Sequence, residues 1–175
     1  MESQEKIYTD SALATEFDKS RGYVWPGVKA YLFSLPAGTL VGDFGSGNGR
    51  NMLWDRRLRY AGCDLSPALV EKSRAKGLEV QEGNLLALPF EASSFDAGMC
   101  IAVLHHLETD EERRLALQEM RRVLKPGGKL LLTVWSKEQP PEAKREFIEG
   151  MNEVPWRDRR QGKVLCTRRY FIYSK

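Results

Sequence analysis

The chain has 175 residues, 27 Lys and Arg against 24 Asp and Glu, with 42% hydrophobic and 29% charged residues. That length suits one compact domain with a sizeable core, and the composition excludes wholesale disorder, collagen-like repeats and low complexity. No apolar run approaches the roughly 20 residues of a membrane span, and the polar start Met1-Glu2-Ser3-Gln4-Glu5-Lys6 has no apolar signal region, so a cytoplasmic protein is expected.

Ile7, Tyr8, Leu13 and Phe17 recur at roughly helical spacing and predict a first helix over 7–19. A second helix is predicted over 26–35, with Pro26 at its permissive first turn and Pro36-Ala37-Gly38 as its breaker. From Thr39 onward short apolar strands alternate with amphipathic helices. Residues 39–44 read as a buried strand ending in a glycine cluster, after which a helix should begin. A second strand over 60–63 runs into Asp64, and Ser66-Pro67 opens a helix that reaches about Lys76 before Gly77 stops it. Strands three and four are predicted over 78–81 and 95–103. Thr109-Asp110-Glu111-Glu112 is a capping box opening a helix to about Leu124. Lys125-Pro126-Gly127-Gly128 ends it, and 129–135 is a strongly apolar fifth strand. This alternation implies an α/β fold, a mostly parallel central sheet with helices on both faces. The expected plan is a helical cap over 1–36, a ligand-binding core over 37–136 and a basic segment over 137–175.

Cys63, Cys100 and Cys166 form no CxxC pair and no ligand pattern with His105 and His106, so neither a metal site nor a disulfide framework is expected. Cys63 and Cys100 fall in strand-like runs and should pack as small hydrophobes. Residues 156–175 carry seven basic residues against Asp158 alone, a net +6 that leaves −3 for the rest. Such asymmetry points to an acidic partner, such as RNA or DNA phosphate. Its plain alternative is a solvated, partly flexible tail.

Asp43-Phe44-Gly45-Ser46-Gly47-Asn48-Gly49 stands at the end of the first predicted strand. Glycines there let the backbone turn sharply and let a ligand approach closely. Asp64, ending the second strand, is placed to accept from a ribose hydroxyl pair. A dinucleotide and S-adenosylmethionine both suit this arrangement. Three features favour the second: the spacing is G-x-G-x-G rather than G-x-G-x-x-G; Asp43 would attract an ammonium and repel a pyrophosphate; and Glu82-Gly83-Asn84-Leu85 brings an amide within reach of adenine edge atoms.

Residues 39–135 resemble the class I S-adenosylmethionine-dependent methyltransferases, which have a Rossmann-like fold. The words that carry this are Leu88-Pro89-Phe90, Ser94-Phe95-Asp96 and Leu124-Lys125-Pro126-Gly127-Gly128. A closer likeness is to the tRNA wobble-uridine carboxymethyl methyltransferases, which esterify 5-carboxymethyluridine. It rests on Ser20-Arg21 with Trp25-Pro26, on Ile101 to Leu107, on Glu112-Arg113-Arg114, on Val134-Trp135 with Glu138-Gln139, and on Val154-Pro155-Trp156. The resemblance implies S-adenosylmethionine as cofactor, held by Asp43, Gly45, Gly47, Gly49, Asp64 and Asn84, with Leu65, Leu85 and Ile101 beside them. It also implies tRNA as substrate and a small zinc-binding activator subunit, paired along the free edge expected of strand three. The family usually has Cys at Ser46 and Asp at Asn84, and continues through a helix and strand after a segment like Arg169-Tyr170-Phe171. That region is therefore expected to be shortened, or the final strand fused onto it.

A sulfonium methyl is already activated, so alignment for in-line displacement can supply roughly 7–11 kcal/mol without a general base. A carboxylate acceptor is ionised at neutral pH and has no proton to lose. Arg21, ahead of the Trp25-Pro26 turn, is the candidate for orienting it through a two-pronged contact, against a plain surface salt bridge. His106, with His105 beside it, follows strand four where the methyl is transferred, as a positioning group, a base or a packing residue. Trp25 and Trp156 either stack on an extruded base or pack internally. A small-molecule methyltransferase and an inactive cofactor-binding scaffold are the alternative functions.

Overall fold

A computed structural model describes residues 23–139, 141–143, 145–157 and 162–175. The helix predicted over 7–19 lies outside the described residues, as does Arg21. Five parallel strands form the central sheet: β1 (Leu40–Phe44), β2 (Arg59–Asp64), β3 (Val80–Glu82), β4 (Phe95–Ile101) and β5 (Leu124–Thr133). They lie in the order β3-β2-β1-β4-β5, so β3 is a sheet edge, as expected. Helices α1 (Pro26–Phe33) and α2 (Pro67–Arg74) cover one face, and α3 (Asp110–Val123) the other.

Strand alternation sorts the core into these two layers. Val41, Ala97, Met99 and Ile101 join Val28, Leu32 and Val70 on the α1–α2 side. Phe44, Cys63 and Cys100 join Ala116, Met120 and Val123 on the α3 side. Both strand cysteines are thus small core residues, and burial pushes the Cys63 thiol up to about 12. The Tyr31 hydroxyl lies 2.9 Å from the Gly98 carbonyl and 2.7 Å from that of Lys129, pinning α1 under β4 and β5. The capping box of α3 forms as read, with the Glu112 N–H donating to Thr109 Oγ1 at 3.1 Å and the Thr109 N–H to Glu112 Oε2 at 2.9 Å.

The signature words tie the sheet end opposite the glycine loop. Asp96 Oδ2 accepts from the Leu40 N–H at 2.9 Å, and Lys125 Nζ pairs with Asp96 Oδ1 at 2.7 Å. Arg122 reaches the carbonyls of Phe90 at 2.8 Å and Leu88 at 3.0 Å.

Three local expectations change. Between the glycine loop and β2 only a 3₁₀ turn, Asn51–Leu53, forms where a helix was expected. The nine residues 50–58 must also bring the chain back to the bottom of the sheet, and that leaves no length for helical turns. Next, Lys125-Pro126-Gly127-Gly128 belongs to β5 as an irregularity between the pairs Phe95–Leu124 and Ala97–Lys129. Gly127 takes φ 80 there, a conformation only glycine adopts readily. Finally, much of the basic segment is an antiparallel hairpin, β6 (Gly150–Arg157) with β7 (Val164–Ile172), rather than a solvated tail. Val154, Tyr170 and Ile172 bury a small third core with Trp135 and Phe147. Past β7 the chain runs alongside the end of β5, the Tyr173 N–H donating to the Trp135 carbonyl at 3.0 Å and the Lys137 N–H to that of Tyr173 at 2.9 Å. Among the described residues no helix is long and apolar enough to cross a membrane.

Candidate active site

The chain runs β1 to β2 to β3 on one side of the sheet, then returns to place β4 on the other side of β1. In a parallel sheet that reversal leaves a crevice at the carboxyl ends of the two strands, where ligands bind. The glycine loop closes one lip of this crevice. Gly45, Gly47 and Gly49 all have positive φ, at 85°, 58° and 72°. A Cβ at Gly45 would lie 2.5 Å from Val103 Cγ2, so the loop needs glycine both for its turn and for its approach to the segment after β4.

Asp43 lies at the foot of the loop with no solvent exposure, and neither carboxylate oxygen has a hydrogen-bond partner among the described residues. Burial, reinforced by the neighbouring Asp64 charge and only partly opposed by Arg50, pushes its carboxyl up to about 8. Ser46 Oγ, Arg50 Nε and Asn51 Oδ1 are also buried without partners. Polar atoms are rarely orphaned in this way, and five from four residues at one loop mark a place for a polar ligand. An unpaired buried carboxylate calls specifically for a cation.

Asp64 is treated differently. Its Oδ2 accepts from the Gly47 N–H at 2.7 Å and its Oδ1 from the Ser66 N–H at 2.9 Å. It therefore staples the glycine loop to the start of α2, and each oxygen keeps a lone pair for a ligand hydroxyl. Burial raises its pKa, while the backbone donors from Ser66 and Gly47 oppose the shift. Behind the loop, Ser73 Oγ donates to the Gly47 carbonyl at 3.1 Å and Lys76 Nζ to that of Asn48 at 2.8 Å.

The other lip begins where β4 ends. Ile101 is buried, and Ala102 takes a left-handed φ of 57° with its N–H shared between the Thr133 carbonyl at 3.0 Å and Thr133 Oγ1 at 2.9 Å. Strain of this kind in a non-glycine residue is often held at functional sites. The turn Leu104–His106 follows. His105 is buried, with ring centroids 4.7 Å from Tyr170 and 5.8 Å from Trp135, while half-buried His106 lies 4.6 Å from Tyr170. The salt bridge Arg169–Glu108, at 2.8 Å, ties the hairpin to this turn.

The expected residues thus separate into groups. Asp43, Gly45, Gly47, Gly49 and Asp64 form one constellation at the ends of β1 and β2, with half-buried Leu65 beside it. Leu85 instead packs in the α3-side core. Asn84 is exposed at the end of β3, and its Oδ1 accepts from the Leu86 N–H at 2.9 Å, so this oxygen is turned into its own loop. Trp25 packs against the α1-side core, and Trp156 lies under the Arg168 guanidinium at 4.9 Å. The structure adds Arg50, Asn51 and Thr133 to this region; for the first two, adjacency to the last loop glycine is the signal in the sequence.

Residues 42–132 match the family model described as a methyltransferase domain. The chain is 43% identical over 134 residues to a tRNA (carboxymethyluridine(34)-5-O)-methyltransferase of Xenopus tropicalis, covering 77% of this chain and 21% of that protein. A Schizosaccharomyces pombe protein of the same name is 35% identical over 153 residues, covering 85% of this chain and 66% of its own length. The chain therefore spans about a fifth of the first relative and under two thirds, though nearly that, of the second. Among solved structures, a Haloferax volcanii protein assigned as a methyltransferase, in complex with the Trm112 methyltransferase activator, superimposes with a TM-score of 0.61 at 26% identity, covering 79% of this chain and 63% of that one.

Proposed function

Because the chain belongs to the class I S-adenosylmethionine-dependent methyltransferases, in the family that includes the tRNA carboxymethyluridine methyltransferases, we propose that it esterifies the carboxymethyl group of wobble uridine 34 in tRNA. Asp43 carries the cofactor half of this reading: its orphaned, buried carboxyl suits the ammonium of the methionine moiety. Asp64 has lone pairs free for the ribose hydroxyls, and the glycine turn leaves room for the backbone to approach. S-adenosylmethionine, when bound, supplies a methyl on a positively charged sulfur that leaves as a neutral thioether.

The acceptor half rests on the relatives' stated substrate and on the chemistry available. The bond formed joins a substrate carboxylate oxygen to the methyl carbon; the bond broken joins that carbon to sulfur, which keeps the electron pair. No proton moves, so no general base is required. The enclosure of His105 and His106 by aromatic rings fits a positioning role for that turn. The chain's task is then alignment and exclusion of water. Arg21 remains the proposed carboxylate contact from the N-terminal segment, and the basic hairpin is the proposed surface for RNA phosphates.

We further propose that a small activator subunit, zinc-binding as the family resemblance implies, pairs with the β3 edge. Support comes from the place of β3 at the edge of the sheet, with no strand beyond it among the described residues, and from the activator present in the Haloferax complex.

The test is transfer of labelled methyl from S-adenosylmethionine to total tRNA, with and without the activator, followed by the mass of the modified nucleoside. A methyl ester of carboxymethyluridine is expected. Label confined to a small metabolite would instead identify a small-molecule methyltransferase, and cofactor binding without transfer a scaffold. Each phosphate contact removed from the hairpin should lower the salt slope of tRNA binding by about 0.7–0.9.

A further inference from the structure

In β7 the side chains at 168, 170 and 172 point into the hairpin's core. At the last two stand Tyr170 and Ile172, and the residue facing 168 across the ladder is buried Val154. The pattern asks for an apolar residue at 168, yet the position holds an arginine only 8% exposed. Its guanidinium lies 4.9 Å from the Trp156 ring and 5.1 Å from the Tyr170 ring.

Two nearby arginines show what a satisfied guanidinium looks like in this region. Arg169 pairs with Glu108 at 2.8 Å, and Arg113 pairs with Asp110 and donates to the Leu107 carbonyl at 2.7 Å. Arg168 forms no ion pair among the described residues, and its buried Nε has no acceptor. Burying a cation without an anion is costly, and apolar side chains fill such a position better. Tyr170, on which Arg168 stacks, is itself 4.6 Å from His106, on the turn that follows β4. This charge, without an ion-pair partner among the described residues, is therefore one ring away from the candidate active site.

From this juxtaposition we infer that Arg168 is a substrate-binding residue, whose guanidinium receives the carboxylate of the acceptor base while the Trp156 and Tyr170 rings flank it. The inference rests on the carboxymethyluridine reading above and adds a second cation to Arg21. A carboxylate suits the position better than a backbone phosphate. Phosphates lie along the sugar backbone, whereas a planar carboxylate on an extruded base can match the planar guanidinium beside the Trp156 and Tyr170 rings.

The test uses the full chain, with its activator where required and S-adenosylhomocysteine present, binding an anticodon stem-loop with either carboxymethyluridine or its uncharged methyl ester. Wild type should prefer the carboxylate by about 10- to 100-fold, the range of a hydrogen-bonded charge pair. Arg168→Met should abolish that preference while binding the ester RNA within about twofold of wild type, and Arg168→Lys should restore part of it. The Met variant should keep its cofactor heat and melt no lower than wild type, because an unpaired buried cation has been replaced by an apolar chain. Equal loss on both RNAs would make Arg168 a phosphate contact, and an unchanged preference would remove it from the site. A lower melting temperature with cofactor heat lost would make it a packing element. Any of these outcomes overturns the inference. If wild type transfers no methyl to the carboxymethylated RNA, the parent reading fails; if Arg168→Met transfers as well as wild type, only the present inference does.

Discussion

Asp96 and Asp43, at opposite ends of the parallel sheet, are treated in opposite ways. At the amino ends of the strands, Asp96 accepts from the Leu40 N–H and pairs with Lys125, joining β1, β4 and β5. At the carboxyl ends, Asp43 is more deeply buried and has no hydrogen-bond partner among the described residues. Their titrations diverge accordingly: the Lys125 hydrogen bond holds Asp96 below the usual carboxylate range, whereas burial raises Asp43 to about 8. One end spends its polar groups on holding the fold together. At the other, Asp64 staples the glycine loop while Asp43 is left unmatched, which makes sense only if a ligand completes it.

The largest expected effect that separates the two ends comes from Asp43→Asn. Calorimetry with S-adenosylmethionine should show affinity reduced about 100-fold or more, as for loss of one partner of a buried ion pair. The same variant should melt at least ~2–4 °C above wild type at pH 8 without cofactor. Between the ordinary carboxylate range near 4 and about 8, the folded protein holds a proton on Asp43 that the unfolded chain has released. Stability contributed by this group is thus present at low pH and lost as pH rises through that window, so the gap between variant and wild type should close near pH 4. A pH-independent gap would show that Asp43 does not titrate as its surroundings dictate.

Gly45→Ala should cost ~1–2 kcal/mol in denaturant unfolding for its left-handed φ, beyond any adjustment of Val103, and should weaken cofactor binding about tenfold. Asp96→Ala should cost ~0.5–1.5 kcal/mol by removing the hydrogen bond to the Leu40 N–H, and leave cofactor affinity unchanged. Its pH dependence runs the other way from that of Asp43, with stability present above the unfolded carboxylate pKa and lost as pH falls below it. A cofactor defect in Asp96→Ala would break the division between the two ends.

The smallest effect is a proton count. If Asp43 meets a cation, cofactor binding at pH 7 should release close to one proton, falling toward zero above about pH 9. Calorimetry in buffers of different ionisation enthalpy measures it. No release at pH 7 would place the ammonium elsewhere.

Much of the candidate cofactor-binding end is legible because its parts are neighbours in the chain. A glycine cluster at the end of an apolar run, an acid before it and another at the tip of the following strand can be found by spacing alone. The capping box of α3 was equally local. The helix expected after the loop was not formed, since that reading took no account of how few residues remain for the return to β2. The hairpin was harder to see. In β7, Arg168 interrupts the inward face and Phe171 the outward one, so neither face is cleanly apolar and the arginines read as a charged tail.

The amino-acid sequence by itself determined the strand–loop–helix alternation and the residues of the glycine constellation. Those depend on backbone preferences and side-chain contacts within one or two turns of chain. Tertiary structure alone decided that Asp43 is left without a hydrogen-bond partner among the described residues and that Arg168 is buried against aromatic rings. It also brought β7 to the turn after β4, a contact between residues 61 positions apart in the chain. Whether a charge is solvated or stranded depends on what packs around it, and no local pattern in the chain encodes those neighbours.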